Sequence, residues 1–158
     1  MEFPAPILRI PIFSLLLTIL TCIRLRIEGD SMSPTYVQGD YILVNRRQYD
    51  LNKPKRKDIV LFQHPGLGNK YIIKRIVGLP GELIRLNNPE SYILANSLSN
   101  TANFDPTLYS EQILDEDEYF LLGDNPSNSL DSRRIGPVKL NLILGKVWFK
   151  YWPMNFGV

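Results

Sequence analysis

The stretch YIIKRIVGLPGELIRL, residues 71–86, indicates the fold class of this chain. Its first nine residues are rich in β-branched and aromatic side chains, as strands usually are. The tetrapeptide LPGE at 79–82 has the Pro and Gly of a turn, and ELIRL at 82–86 follows as a second apolar run. The stretch therefore predicts two strands joined by a tight turn, which is the unit of an antiparallel sheet.

Similar runs recur after Ile27, separated by segments rich in Gly, Pro, Asn and Asp. They are YILV at 41–44, DIVLF at 58–62, EYFLL at 118–122 and LILGKVWFKYW at 142–152. No stretch after Ile27 has the periodicity of an amphipathic helix. Strands without intervening helices favour an antiparallel sandwich or barrel over a parallel α/β sheet. We therefore predict a mainly β fold, with a compact antiparallel sheet or barrel-like domain.

The N-terminal part of the chain contains an uncharged apolar run, IPIFSLLLTILTCI at 10–23, between Arg9 and Arg24. A bilayer crossing takes about 20 apolar residues, although basic flanking side chains can reach the headgroups from slightly deeper. We predict a short membrane-anchor helix here. A cleaved secretory signal and a buried core element are the alternatives, and the lack of a small-x-small cleavage motif after the run favours a retained anchor. Basic residues flank both ends, so charge does not give the orientation.

The length of 158 residues suits one ordinary domain. We divide the chain into an anchor with its flanks at 1–26 and a β-rich domain at 27–158, which includes a polar surface excursion at 87–117. A formal net charge of +2 is too small for a nucleic-acid-binding surface. Cys22 and His64 are the only cysteine and histidine, so no zinc site of such ligands can form. We predict neither a metal nor another cofactor.

The segment EGDSMSPT at 28–35 resembles the nucleophile motif of the type I signal peptidase family. Three more blocks follow in the family's order: KDIVLFQHP at 57–65, YIIKRIVGLPGE at 71–82 and GDNPSNSLDSRRIGPV at 123–138. Together the four blocks cover most of the chain between Glu28 and Val138. The resemblance implies a serine endopeptidase.

The resemblance also implies the roles of single residues. The nucleophile is the serine before the methionine, which is Ser31, and the general base is the lysine before the arginine, which is Lys74. An exposed lysine has a pKa near 10.4, so the site must lower the pKa by roughly 3 units for the amine to accept a proton. Ser129 is expected beside the lysine as a group that orients it, while Asp131 and Arg133 are expected to support the loop as an ion pair.

Three positions leave alternatives open. Some family members have a serine where this chain has Gly29, and its hydroxyl completes the oxyanion hole, so here the backbone N–H of Ser31 is the donor that we can name. The GDNP form with Pro126 is more similar to mitochondrial inner-membrane peptidases and to maturation proteases for nickel superoxide dismutase. His64 is a second candidate base, because histidine is the commonest base for serine nucleophiles, but its QHPG context is typical of an ordinary turn.

The sequence thus predicts a membrane-bound, single-pass peptidase that removes N-terminal leader peptides from exported precursor proteins. Its partners would be these precursors and the lipid bilayer, with the catalytic domain on the non-cytoplasmic face. Met32 is expected to line a shallow apolar cleft that accepts an extended substrate. One alternative is a maturation protease dedicated to a single precursor. Another is a non-catalytic peptide-binding module, and a self-cleaving repressor is disfavoured because the N-terminal segment is apolar.

Overall fold

The computed structural model describes residues 21–68, 70–87, 91–94 and 110–153. In these residues the chain forms ten strands and, between β8 and β9, a one-turn helix, α1, at Ser132–Ile135. The strands are β1 Ile23–Arg26, β2 Tyr41–Asn45, β3 Ile59–Gln63, β4 Tyr71–Gly78, β5 Leu83–Asn87, β6 Ser91–Leu94, β7 Ser110–Ile113, β8 Glu118–Leu122, β9 Val138–Lys139 and β10 Ile143–Trp152.

Two sheets contain these strands, and every pairing between them is antiparallel. The large sheet has the order β1-β2-β10-β3-β4-β8-β9, and the small sheet has the order β6-β5-β7. The long C-terminal strand β10 therefore lies between β2 and β3, which it joins into one sheet. Four antiparallel steps separate β1 from β4, so these two strands run in the same direction.

The core lies on both faces of the large sheet because alternate residues of its strands point to opposite sides. On β3, Val60 and Phe62 pack with Tyr119 and Leu121 of β8, while Leu61 belongs to a second cluster. The second cluster contains Ile27, Ile42, Val44 and Val147. A third cluster, Ile84, Leu114, Phe120 and Leu122, joins the small sheet to the other face of β8.

The mainly β prediction is confirmed, and the strands predicted from apolar runs correspond to β2, β3, β4, β5, β8 and β10 within one or two residues. The structure adds the short strands β1, β6, β7 and β9. Their sequences, such as IRLR in β1 and SEQI in β7, are too short and polar to give a strand signal. Strands β6 and β7 lie within the predicted excursion at 87–117 and pair with β5 on either side.

The predicted membrane-anchor helix falls almost wholly on residues 1–20, which lie outside the described residues. In the part of the chain that the structure describes, no helix has the length and apolar character to cross a bilayer. Strand β1 occupies Ile23–Arg26, which the sequence analysis counted with the anchor and its flanks, and it pairs with β2.

Candidate active site

Ser31 lies in a tight turn that leads from β1 toward β2. Within the turn, the Ser33 N–H donates to the Asp30 carbonyl oxygen at 3.0 Å and the Tyr36 N–H donates to the Met32 carbonyl oxygen at 2.9 Å. The Ser31 carbonyl oxygen accepts a hydrogen bond from the Asn125 N–H at 3.1 Å. The Ser31 N–H has no assigned acceptor among the described residues, so it is available to a negatively charged oxygen.

Lys74 lies in the middle of β4, opposite Val60 of β3, and its side chain is buried with 2% of the residue exposed. Its Nζ lies 2.6 Å from Ser31 Oγ and 3.0 Å from the Ile73 carbonyl oxygen. Pairing with Val60 of β3 fixes the backbone of Lys74, and the Lys74 side chain reaches Ser31 in the serine turn. The two groups that the sequence analysis selected are thus in hydrogen-bonding contact.

Burial also changes the acidity of this amine. Desolvation lowers the pKa of Lys74 from its ordinary value to about 8, against an opposing effect of the carboxylates Asp131 and Asp124. At pH 8 about half of the molecules would therefore carry an uncharged amine. An uncharged Lys74 can accept the proton of the Ser31 hydroxyl, which an ordinary charged lysine cannot do.

The segment between β8 and α1 also contacts the serine turn and helps to hold it in place. Asp131 is fully buried and accepts two hydrogen bonds from the Arg133 guanidinium, each 2.9 Å long, as well as one from the Arg133 N–H at 3.3 Å and one from the Gly123 N–H at 3.0 Å. Burial alone would raise the pKa of Asp131, but these donors outweigh it and the pKa is lowered. The pair therefore stays ionised and braces the segment, in the arrangement expected for a supporting ion pair.

Ser129 is 8% exposed and lies against Gly123, where a Cβ atom would overlap Ser129 Oγ and the Ser31 carbonyl oxygen. Its hydroxyl is close enough to Asp131 to help to lower the pKa of that carboxyl. Among the described residues, however, it has no partner in hydrogen-bonding geometry. The expected contact of Ser129 with the lysine amine stays a prediction.

Three residues to which the sequence analysis gave no role form a network beside Lys74. Arg75 donates to Asp124 through Nε at 2.8 Å and Nη2 at 2.6 Å, and Thr35 Oγ1 donates to Asp124 Oδ2 at 2.5 Å. The network joins the serine turn, β4 and the segment after β8. Asp124 and Thr35 lie inside the quoted motif blocks, but no sequence signal pairs them with Arg75, which strand alternation turns away from the face of Lys74.

A cleft of about 580 Å³ has Ser31 in its lining and reaches Ile73, the residue before Lys74. Its walls are the edge of β1 with the following residues and the first half of β4. Among the described residues, no strand pairs with the edge of β1 away from β2, and β8 pairs with β4 only from Arg75 onward, which leaves the β4 edge at 71–73 without a described partner as well. The apolar lining is Leu25, Ile27, Met32, Leu61, Ile72 and Ile73. Met32 is among these lining residues, and its contact with a substrate stays a prediction.

Two further positions bear on the alternatives. His64 Nδ1 accepts a hydrogen bond from the Gly66 N–H at 3.2 Å, so the imidazole caps the turn in which it lies.

Gly29 has a φ of 82°, a left-handed conformation that residues with side chains rarely adopt. The backbone at this position therefore disfavours the serine that other family members carry, and a second oxyanion donor must come from elsewhere.

Comparisons with known proteins agree with this arrangement. The profile of the family described as "Signal peptidase, peptidase S26" matches residues 2–152. The chain is 36% identical to signal peptidase I of Bacillus caldolyticus, with 82% of this chain and 79% of the relative covered. It is 33% identical to signal peptidase I of Leptolyngbya laminosa, covering 82% and 68%. It is 35% identical to the mitochondrial ATP-independent inner membrane protease subunit 1b of Arabidopsis thaliana, covering 82% and 70%.

Proposed function

Because this chain belongs to the signal peptidase family, peptidase S26, we propose that Ser31 and Lys74 carry out the removal of leader peptides from exported precursor proteins. The chain is a serine endopeptidase of the signal peptidase I type. The observation that carries the assignment of the two residues is the distance of 2.6 Å between Ser31 Oγ and a buried Lys74 Nζ.

The chemistry follows from the protonation of this pair. The uncharged Lys74 amine takes the hydroxyl proton as Ser31 Oγ attacks the carbonyl carbon of the scissile peptide bond. The Ser31 N–H donates to the oxyanion that forms. The resulting Lys74 ammonium then gives its proton to the leaving amine, which frees the mature protein and leaves the leader as an ester on Ser31. In the second half, Lys74 takes a proton from the water that attacks this ester and then gives it to the departing Ser31 Oγ, which releases the leader with a free carboxyl group and restores the uncharged amine.

The cleft supports an extended substrate. Since β1 and β4 run in the same direction and both have open edges there, a peptide between them can form backbone hydrogen bonds on both sides, as an added strand does. The lining by Ile27, Met32 and Ile73 suits small apolar side chains next to the cut. Asp131, Arg133 and Ser129 are positioning residues in this proposal, because they act through the serine turn and Lys74.

We further propose that the apolar run at 10–23 tethers the enzyme to the bilayer as a single-pass anchor, with the catalytic domain on the non-cytoplasmic face. Its composition supports this proposal, as does the name of the inner membrane protease relative. The general signal-peptidase names of the other relatives do not favour a protease dedicated to one precursor. The contact of Ser31 with Lys74 does not favour a non-catalytic binding module.

A cleavage assay in detergent tests the proposal. The full chain should cut a leader-peptide substrate once, after a small residue, and Ser31→Ala should reduce the rate to the background without loss of the folded state. His64→Ala should keep most of the activity, since His64 caps a turn. A Ser31→Ala enzyme that retains cleavage, or a His64→Ala enzyme that loses it while folded, contradicts the assignment.

A further inference from the structure

The segment between β2 and β3 has an unusual charge. Residues 46–57, RRQYDLNKPKRK, contain six Lys or Arg and one Asp, whereas the rest of the chain contains 12 basic and 15 acidic residues. We refer to residues 46–57 as the basic segment. The segment therefore has a formal net charge of +5 and the rest of the chain one of −3, so the net positive charge of the protein comes from these twelve residues.

Most of these cations are exposed and lack a carboxylate partner. Arg47 pairs with Asp50, and Arg56 pairs with Glu82. The others, Arg46, Lys53, Lys55 and Lys57, are exposed and form no ion pair with any described residue. The proposed chemistry at the cleft does not use these four side chains. In the described part of the chain, none of their charges contributes to an ion pair that stabilises the fold.

Leu51, in the middle of the basic segment, is 94% exposed, the largest value among the exposed large apolar side chains of the described residues. Its neighbour Pro54 is buried, and the Lys55 N–H donates to Asp58 at 3.0 Å, so the end of the segment is attached to the domain. The segment thus presents one apolar side chain among free cations. This combination is typical of surfaces that contact the interfacial region of a membrane.

The location of the basic segment points to the same partner. Arg46 and Arg47 line a surface cavity of about 610 Å³ together with Thr21, Cys22 and Ile23, where the apolar run at 10–23 ends. At the other end of the segment, the Lys57 carbonyl oxygen accepts a hydrogen bond from Arg75 Nη1 at 3.0 Å, next to Lys74. The basic segment therefore extends from the end of the apolar run to the neighbourhood of the active site.

We propose that the basic segment binds the headgroups of anionic phospholipids, with Leu51 inserted into the interfacial layer. Basic residues at an anionic membrane surface each contribute about a fivefold gain in binding. The contact would hold the active site at the height of the bilayer surface, where a leader peptide meets the mature chain. The inference rests on the membrane tether proposed above and does not depend on the chemistry of Ser31.

A nucleic acid is the other polyanion that such a surface could contact. Lipid is favoured because the apolar run ends beside Arg46 and Arg47. If the run is anchored in a bilayer, these two side chains lie next to the headgroups. The exposed Leu51 favours lipid as well, since it has no apolar layer to enter on a duplex.

The experiment uses the full chain in nanodiscs, with an environment-sensitive dye on Leu51→Cys in a Cys22→Ser background. Discs that contain phosphatidylglycerol should shift the dye emission to the blue, and discs of phosphatidylcholine alone should not. About 1 M salt should remove the shift, because the Debye length falls to about 3 Å. The double change Lys53→Gln and Lys55→Gln should lower the equilibrium constant for contact about 25-fold.

The matched control is Arg134→Gln with Lys139→Gln, which removes two exposed cations outside the basic segment and should keep the blue shift. An equal blue shift in phosphatidylcholine, or an unchanged shift in the Lys53 and Lys55 variant, overturns the proposal. So does a shift that duplex DNA produces in phosphatidylcholine discs. A chain that fails to co-elute with either disc contradicts the tether itself, whereas co-elution without a dye response contradicts only the lipid contact.

Discussion

At the scale of single residues, the central feature is a lysine in a place that disfavours its charge. Lys74 has almost no exposure to solvent, and its nearest carboxylates are already committed, Asp131 to Arg133 and Asp124 to Arg75. Its amine therefore donates hydrogen bonds to Ser31 and to the Ile73 carbonyl oxygen, but it has no dedicated counter-charge among the described residues. The pKa of about 8 is the consequence, and it puts the amine within reach of its uncharged form at physiological pH.

This depressed pKa has a cost in stability. The folded chain holds the Lys74 proton less tightly than the unfolded chain does, whose lysine pKa is 10.5, so stability should rise with pH between about 8 and 10.5. Below pH 8 the full cost, about 3 kcal/mol, is present. We expect Lys74→Met to abolish cleavage and to be as stable as the wild type at pH 7 or more stable, by up to about 3 kcal/mol, in urea unfolding.

Lys70→Met is the matched control for this prediction, because Lys70 is exposed and its replacement removes no buried charge. It should leave the free energy of unfolding nearly unchanged. A Lys74→Met chain that is less stable than the wild type by more than about 1 kcal/mol would mean that the amine is not strained by its burial.

The sequence predicted the pair Ser31 and Lys74 by resemblance, and elementary physics added the requirement for a lowered pKa. The resemblance itself is confirmed by the family profile and the relatives. What could not be predicted is the contact between Arg75 and Asp124, since the two residues lie 49 positions apart and meet only when the segment after β8 folds back over β4. Such a contact depends on tertiary structure and leaves no local pattern.

At the scale of elements, three segments from distant parts of the chain meet at the site: the serine turn, β4 and the segment after β8. At Gly123 the segment after β8 passes close to the serine turn, because the missing side chain leaves room for Ser129 and for the Ser31 carbonyl oxygen. The hydrogen bonds from the Asn125 N–H to the Ser31 carbonyl oxygen and from Gly123 to Asp131 fix the third segment. The position of the nucleophile is therefore set by a neighbouring segment as well as by its own turn.

We expect Gly123→Ala to displace the serine turn, since the added methyl group would overlap the Ser129 hydroxyl oxygen and the Ser31 carbonyl oxygen. A displacement of about 1 Å can reduce the rate about 100-fold, and the loss should appear in kcat with little change in KM. Steady-state kinetics on a leader peptide measure this. The control is Gly81→Ala, which introduces backbone strain at a φ of 78° where no other atom lies near the new methyl group. Equal kinetics for Gly123→Ala and the wild type would show that the close approach has no role in positioning.

At the scale of the whole molecule, the two walls of the cleft come from strands that are not neighbours in the large sheet. Strands β1 and β4 are separated in the sheet by three others, yet residues of both line one cavity. Local patterns predicted six of the strands, but not their order. The insertion of β10 between β2 and β3 joins residues about a hundred positions apart, and such non-local pairing is decided by packing of the complete core. The fold class and an apolar cleft were therefore predictable, whereas the two parallel strands that form the walls of the cleft were not.

The basic segment and the apolar run together define which side of the molecule would face the bilayer. If the proposed tether and lipid contact are both present, the bilayer lies along the side of the domain that carries residues 46–57, with the active site at its edge. The enzyme would then receive its substrate where the leader leaves the membrane. The chemistry nevertheless depends only on the dyad, so it can be tested independently of the membrane.

The most direct test of the dyad is the titration of the Lys74 amine in the full chain. Lysine labelled with ¹³C at Cε reports the protonation of each amine by NMR, and comparison with Lys74→Met assigns the signal. We predict a midpoint near pH 8, well below the ordinary lysine value of about 10.4. A Lys74 signal that titrates above pH 10, as an exposed lysine does, would contradict the claim that this amine accepts the proton of Ser31.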